Sequence, residues 1–194
     1  MKNLLITILS LCLLSSARSQ SQASYIAKLP VLDQSPLDMA YFPDNYPMLK
    51  TQDKITEPLS VRVIYSRPQK NNRTIFGDLI EYGKVWRLGA NEATEIEFFK
   101  DIMIGTKKIP KGRYTVYAIP NQTNWTIIIN KDTYTWGAFI YNDKKDILRI
   151  DEPVQATPAP VEAFTMHFDK TTTGANLVMA WDNVSVTLPI TIKK

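Results

Sequence analysis

Val184, Val186, Leu188, Ile190 and Ile192 stand at every second position, with Ser185, Thr187, Pro189 and Thr191 between them. Successive side chains of a strand point to opposite faces, so this period of two marks a strand with one buried face. The same period runs through Leu59–Tyr65, Thr94–Phe99 and Arg113–Ile119, and Trp125–Asn130 is rich in β-branched residues. Turn-forming runs separate these segments: Gln69–Asn72, Gly105–Lys108, Pro110–Gly112, Pro120–Asn124 and Asp169–Gly174. No run has the three-to-four spacing and length of a crossover helix. The pattern therefore predicts an all-β fold, an antiparallel β-sandwich or partly open barrel of about eight or nine strands. Within it, Asp151–Pro160 reads as a proline-broken connection and Asp182-Asn183 as a turn. Arg73–Ile80 reads as a short helical turn, and Pro189 places the last strand at an edge or outer face.

Two flanking segments do not follow this pattern. Met1-Lys2-Asn3, an apolar run from Leu4 to Leu14, and small residues at Ala17 and Ser19 have the form of a secretory signal peptide over 1–19. The apolar run is shorter than the roughly 20 residues a bilayer needs, so no transmembrane span is expected. The chain's one cysteine, Cys12, falls inside that run and follows Leu11, which disfavours lipoprotein anchoring. The expectation is an exported, periplasmic or secreted protein. Residues 20–58 carry Pro30, Pro36, Pro43, Pro47 and Pro58 among Tyr25, Tyr41, Phe42 and Tyr46. They read as a proline-rich extended arm whose aromatics dock on a β-sandwich domain of residues 59–194.

Composition removes several function classes. Without 1–19 the chain has no cysteine, so a core rather than disulfides must stabilise it. Loss of Lys2 and Arg18 lowers the formal charge from +4 to +2, and no basic stripe remains to suggest nucleic acid. The one histidine, His167, lies opposite Phe164, Met166 and Phe168 on its strand, so it faces away from that apolar set and offers no triad. A zinc site lacks ligands. Asn142, Asp143 and Asp146, or Asp151 and Glu152, lack the alternation of a calcium loop. No metal and no cofactor is expected, and oligomeric state is not readable.

Recognition-type side chains concentrate in Tyr82–Thr94, an aromatic, cationic, amide and carboxylate run with two glycines. That stretch belongs to a wider set: Tyr65-Ser66-Arg67-Pro68, Arg73-Thr74-Ile75-Phe76-Gly77, Trp86–Thr94, Gly112-Arg113-Tyr114 with Ile119-Pro120, and Trp136-Gly137-Ala138. Together these motifs resemble the bacterial secreted family catalogued as domain of unknown function twenty-nine-eleven, from about Ser35 to Ile190. The resemblance implies a single exported domain of the kind seen mostly in Gram-negative bacteria, with no established activity. The family commonly has glycine before the equivalent of Arg73, where this chain has Asn72. Asparagine also tolerates positive φ, so the turn is expected to survive.

Arg67, Arg87, Asn91, Glu92 and Trp136 form the candidate ligand-binding set. Arginine forks suit carboxylates and phosphates, and tryptophan stacks on a ring. A small polar or anionic ligand, or an envelope glycan, is the expected partner. One alternative is a hydrolase or isomerase using Glu92 with Arg87. Glu95 and Glu97 share one strand face and read as surface charge. Another is a structural or interaction module of the cell envelope. The rival reading of the motif is architectural: Arg67 or Arg87 pairs with Glu92 beneath a loop, and Trp86 is core.

Overall fold

A computed structural model describes residues 29–192. The expected signal peptide lies outside the described residues. Residues 29–33 belong to an N-terminal unit, contain no helix or strand and are exposed; the fold below is that of the unit from Gln34 onward.

Alternation becomes structure nearly segment by segment. Strands form at β1 (Leu37–Phe42), β2 (Val61–Ser66), β3 (Glu95–Phe98), β4 (Ile102–Ile104), β5 (Lys107–Ile109), β6 (Gly112–Pro120), β7 (Asn124–Asn130), β8 (Asp146–Lys170) and β9 (Gly174–Thr191). One short helix, α1 (Tyr46–Thr51), follows β1. The strands make one open antiparallel sheet in the order β1-β2-β3-β6-β7-β8-β9-β4-β5. The all-β expectation holds, and a sandwich or open barrel describes the sheet. Part of the proline-rich segment is itself sheet: Leu37–Phe42 pairs residue by residue with Val61–Ser66. Proline needs a position without a ladder donor, and Pro36 and Pro43 flank this edge strand rather than interrupt it.

Two expectations of interruption fail at β8 and β9. Asp151–Pro160 is not a connection but the middle of a single strand of 25 residues. The ladder shifts register between Ala156 and Val161 and again between Val161 and Thr165, where Pro158 and Pro160 need no partner for a missing N–H. Asp182 is not in a turn. It adopts φ 53° inside β9 and is the cross-strand partner of Val161. Pro189 lies beyond the last β8–β9 pair, Val154 with Val186, so it costs the ladder nothing although β9 is not at the sheet's edge. Arg73–Ile80 forms no helix; Phe76 and Ile80 make an isolated bridge. Asn72 does take positive φ, 58°, as the turn there requires.

The bulges in β8 fold the sheet over its own core. The first part of β8 pairs with β7 and the rest with β9. The chain after β2 meets the folded part: Lys70 N–H donates to Glu162 O at 2.7 Å and Phe164 N–H to Pro68 O at 2.9 Å. Tyr65 OH donates to Met166 O at 3.1 Å, and its ring meets Phe164 edge-on at 5.9 Å. Phe164, Met166 and Phe168 are buried as their spacing predicts, and His167 on the other face is half exposed. The centre of the core is aromatic. Trp86 stacks on Trp181 at 6.0 Å and lies edge-on to Trp125 at 5.6 Å and Phe164 at 5.2 Å. A second, smaller cluster covers the other face of β6 and β7, where Tyr117 and Ile128 pack with Ala93, Val85, Ala138 and Tyr141.

Candidate functional site

The 86–94 stretch divides by the direction of its side chains. Trp86, Leu88, Ala93 and Thr94 are buried. Trp86 bridges Ala118 of β6 through both N–H···O bonds, so the stretch begins as a short added strand. It then folds sharply: Leu88 has φ 53° and Asn91 φ 56°. A leucine in that region costs about 1–2 kcal/mol, so neighbouring contacts must impose it. They do so from both sides. Trp86 Nε1 donates to Gly89 O at 3.1 Å, Thr94 Oγ1 donates to Leu88 O, and Thr94 N–H donates to Arg87 O at 3.0 Å. Glycine is required at 89, because a Cβ there would come within 3.0 Å of the Ser66 carbonyl oxygen. The inward half of the motif is therefore a plug seated on the end of β2.

The outward half presents Arg87, Asn91 and Glu92 beside a second loop, residues 131–141. Ala93 N–H donates to Thr135 O at 3.0 Å, Gly137 N–H donates to Asn91 O at 2.8 Å, and Glu92 bridges Trp136. Asn91, Glu92 and Trp136 are thus brought together by backbone pairing. Trp136 is 59% exposed, and Phe139 and Ile140 are more exposed still. Their exposure could not be read from the sequence, where the aromatic run looks like any core segment.

Arg87 lines a cavity of about 180 Å³ together with Leu79, Ile80, Glu81, Lys84 and Ala138. Its Nε is buried without a hydrogen-bond partner among the described residues. Burial pushes the guanidinium pKa down. Arg87 forms no ion pair with Glu92. That carboxylate is exposed and borders a separate cavity of about 150 Å³ with Leu37, Ile64, Glu95, Tyr134 and Thr135.

Arg67 stands apart from this group. All three of its guanidinium nitrogens are engaged: Nε donates to Phe164 O at 3.3 Å, Nη1 to Asp38 Oδ2 at 2.9 Å and Nη2 to Thr165 Oγ1 at 2.9 Å. It ties β1 to the folded part of β8. The five candidate residues accordingly do not line one cavity. Two further carboxylates near the motif are engaged, Glu97 with Arg62 and Glu95 with Arg113 at 3.6 Å and with the Tyr134 N–H at 2.7 Å. Among the described residues no cluster of three or more His, Cys, Asp or Glu could hold a metal. Leu79 and Glu81 are site neighbours that sequence reasoning did not single out, and only the folded chain reveals them beside Arg87.

What this arrangement can do chemically is limited and specific. A half-buried guanidinium with an unused N–H, with Lys84 offsetting the one carboxylate, Glu81, in a mixed polar and apolar lining, can hold a small anion. No curated protein and no solved structure matches the chain. Residues 47–190, from α1 to the end of β9, match a family described as a protein of unknown function, and the chain belongs to that family, DUF2911.

Proposed function

We propose that this chain is an exported binding protein that holds a small anionic ligand, an organic acid or acidic sugar, at the Arg87 cavity. The observation that carries the reading is the buried Arg87 Nε with no partner among the described residues. An unpaired buried N–H on a cation costs about 1–3 kcal/mol, a cost that a ligand carboxylate would relieve. Lys84 adds a second cation at the same cavity and Glu81 one carboxylate, so the lining keeps a net charge of one cation. The exposed ring of Trp136, across the bridge from Glu92, offers a stacking face for a ligand larger than the cavity. The separation of Arg87 and Glu92 into two cavities favours binding over chemistry that would use them together. Export rests on the form of residues 1–19, and intact mass of the recovered protein, starting at Gln20, is its check.

The binding test is a thermal-shift panel of organic acids, uronic acids and neutral sugars on wild type, Arg87→Met and Trp136→Ala. A ligand at a hundredfold excess over Kd stabilises by about 2.7 kcal/mol, which a melting curve resolves. Acids are expected to raise the Tm of wild type but not of Arg87→Met. Equal shifts in the two proteins would remove the reading.

A further inference from the structure

A third cavity lies at the other end of the β2–β3 pair from the 86–94 plug. Gly89 packs on Ser66, where β2 ends. This cavity is bordered instead by Phe42, Pro58 and Ser60 before β2 begins, and by Lys100 just after β3 ends. Its volume is about 790 Å³, within the roughly 300–1,000 Å³ of small-molecule sites. None of the candidate residues of the sequence lies in it.

Its walls are held before any ligand arrives. The ladders extend past the strand ends: Ser60 N–H donates to Phe42 O at 2.9 Å and Phe99 N–H to Ser60 O at 3.0 Å, which fixes the backbone beside Lys100. Opposite stands the β8–β9 turn, Thr171-Thr172-Thr173-Gly174, with Thr171 N–H on Gly174 O at 3.0 Å and Ile192 N–H on Thr173 O at 2.8 Å. Gly174 is obligatory there, since a Cβ would stand 2.2 Å from Ile190 O. Phe42, Pro58 and Ile192 supply apolar surface, and four threonines, Thr171, Thr172, Thr173 and Thr191, supply hydroxyls. Among the described residues that border it, charge is in excess by one cation. Lys170 is paired with Glu57 at 2.6 Å, while Lys100, half-buried at the same cavity, has no ion pair among the described residues.

We infer that this cavity binds an amphiphilic monocarboxylate, its apolar tail on Phe42, Pro58 and Ile192 and its carboxylate on Lys100 and the threonine turn. Apolar walls favour burial of a tail, and a single uncompensated ammonium among hydroxyls favours one anionic head over a neutral or dianionic one.

Isothermal titration with decanoate, below the concentration at which it forms micelles, tests this on the exported chain. One decanoate is expected to bind saturably, with 1-decanol and inorganic phosphate each binding about tenfold or more weakly, a difference of about 1.4 kcal/mol. Lys100→Met is expected to lose that preference for the carboxylate, and Arg87→Met is expected to bind decanoate like wild type, which separates this site from the anion cavity. Amide shifts on titration should centre on Thr171–Gly174 and Lys100, a readout that needs no variant. Equal binding of decanol and decanoate, no saturable binding by wild type, or loss of binding in Phe139→Ser with retention in Lys100→Met would each overturn the assignment.

Discussion

Around Arg67 the protein supplies a partner for each guanidinium nitrogen: an aspartate, a hydroxyl and a main-chain carbonyl, drawn from β1 and β8. Around Arg87 it supplies walls. The Nε there is buried with no partner among the described residues, and the cavity is bordered by Lys84 and Glu81, whose opposite charges leave the guanidinium uncompensated. The two residues look alike in the sequence, each an arginine beside a strand end in a polar motif. Their surroundings show that a guanidinium bonded at every nitrogen is a clamp even when 35% exposed, whereas a buried N–H without a partner is a standing cost that a ligand can relieve. The Trp86–Thr94 motif holds both characters at once, with an inward plug that belongs to the architecture and an outward arginine that does not.

The contrast can be broken most forcefully at the plug. Trp86→Ala removes the ring at the centre of the aromatic core and should cost about 3–5 kcal/mol in urea unfolding. A much smaller loss would mean that the inward half is not the keystone described above. Next comes Arg67→Met. Its partner Asp38 is substantially exposed, so the ion pair itself counts for little; the loss comes chiefly from stranding the Phe164 carbonyl, since the Thr165 hydroxyl keeps its bond to Ala163 O at 2.8 Å. About 2 kcal/mol of destabilisation is expected. Arg87→Met should move stability the other way, leaving it unchanged or raising it by up to about 1 kcal/mol, while anion-dependent stabilisation disappears. A loss as large as that of Arg67→Met would make Arg87 a second clamp.

Two smaller effects sharpen the picture. A double-mutant cycle of Arg87→Met and Glu92→Gln should show coupling below about 0.5 kcal/mol, because the two side chains border different cavities. Coupling above 2 kcal/mol, with each single variant badly destabilised, would restore the architectural ion pair. The smallest effect concerns Glu152, whose pKa is raised by burial alone. A carboxyl with a raised folded-state pKa stabilises below its unfolded pKa, and that contribution is lost as pH rises through the folded value. Glu152→Gln should therefore be slightly more stable than wild type at pH 7, by no more than about 0.5 kcal/mol, with the difference vanishing at low pH. A variant less stable at pH 7 would show that Glu152 has a favourable partner.

The sequence by itself determined most of the strands, though not β1, which it read as part of an extended arm. Period-two alternation in residues 59–66, 94–99, 113–119 and 184–192 is a local consequence of pleat geometry, so it survives without knowledge of neighbours. It also determined which face of β8 is buried, with Phe164, Met166 and Phe168 inward and His167 outward. Proline misled the reading at 151–160 because it forbids a ladder hydrogen bond, not a strand. Whether a bond is needed there depends on a register shift that only the partner strand defines. The same holds for Asp182, whose left-handed φ reads as a turn until its place opposite Val161 is known. The site was legible as a motif but not as a geometry. Residue types marked Arg67, Arg87, Asn91, Glu92 and Trp136 as capable of recognition. Tertiary structure alone decided that Arg67 meets Asp38, Phe164 and Thr165, that Glu92 and Arg87 part into separate cavities, and that Arg87 is left open. Side-chain chemistry is local, but whether a charge is satisfied depends on residues brought to it from far along the chain.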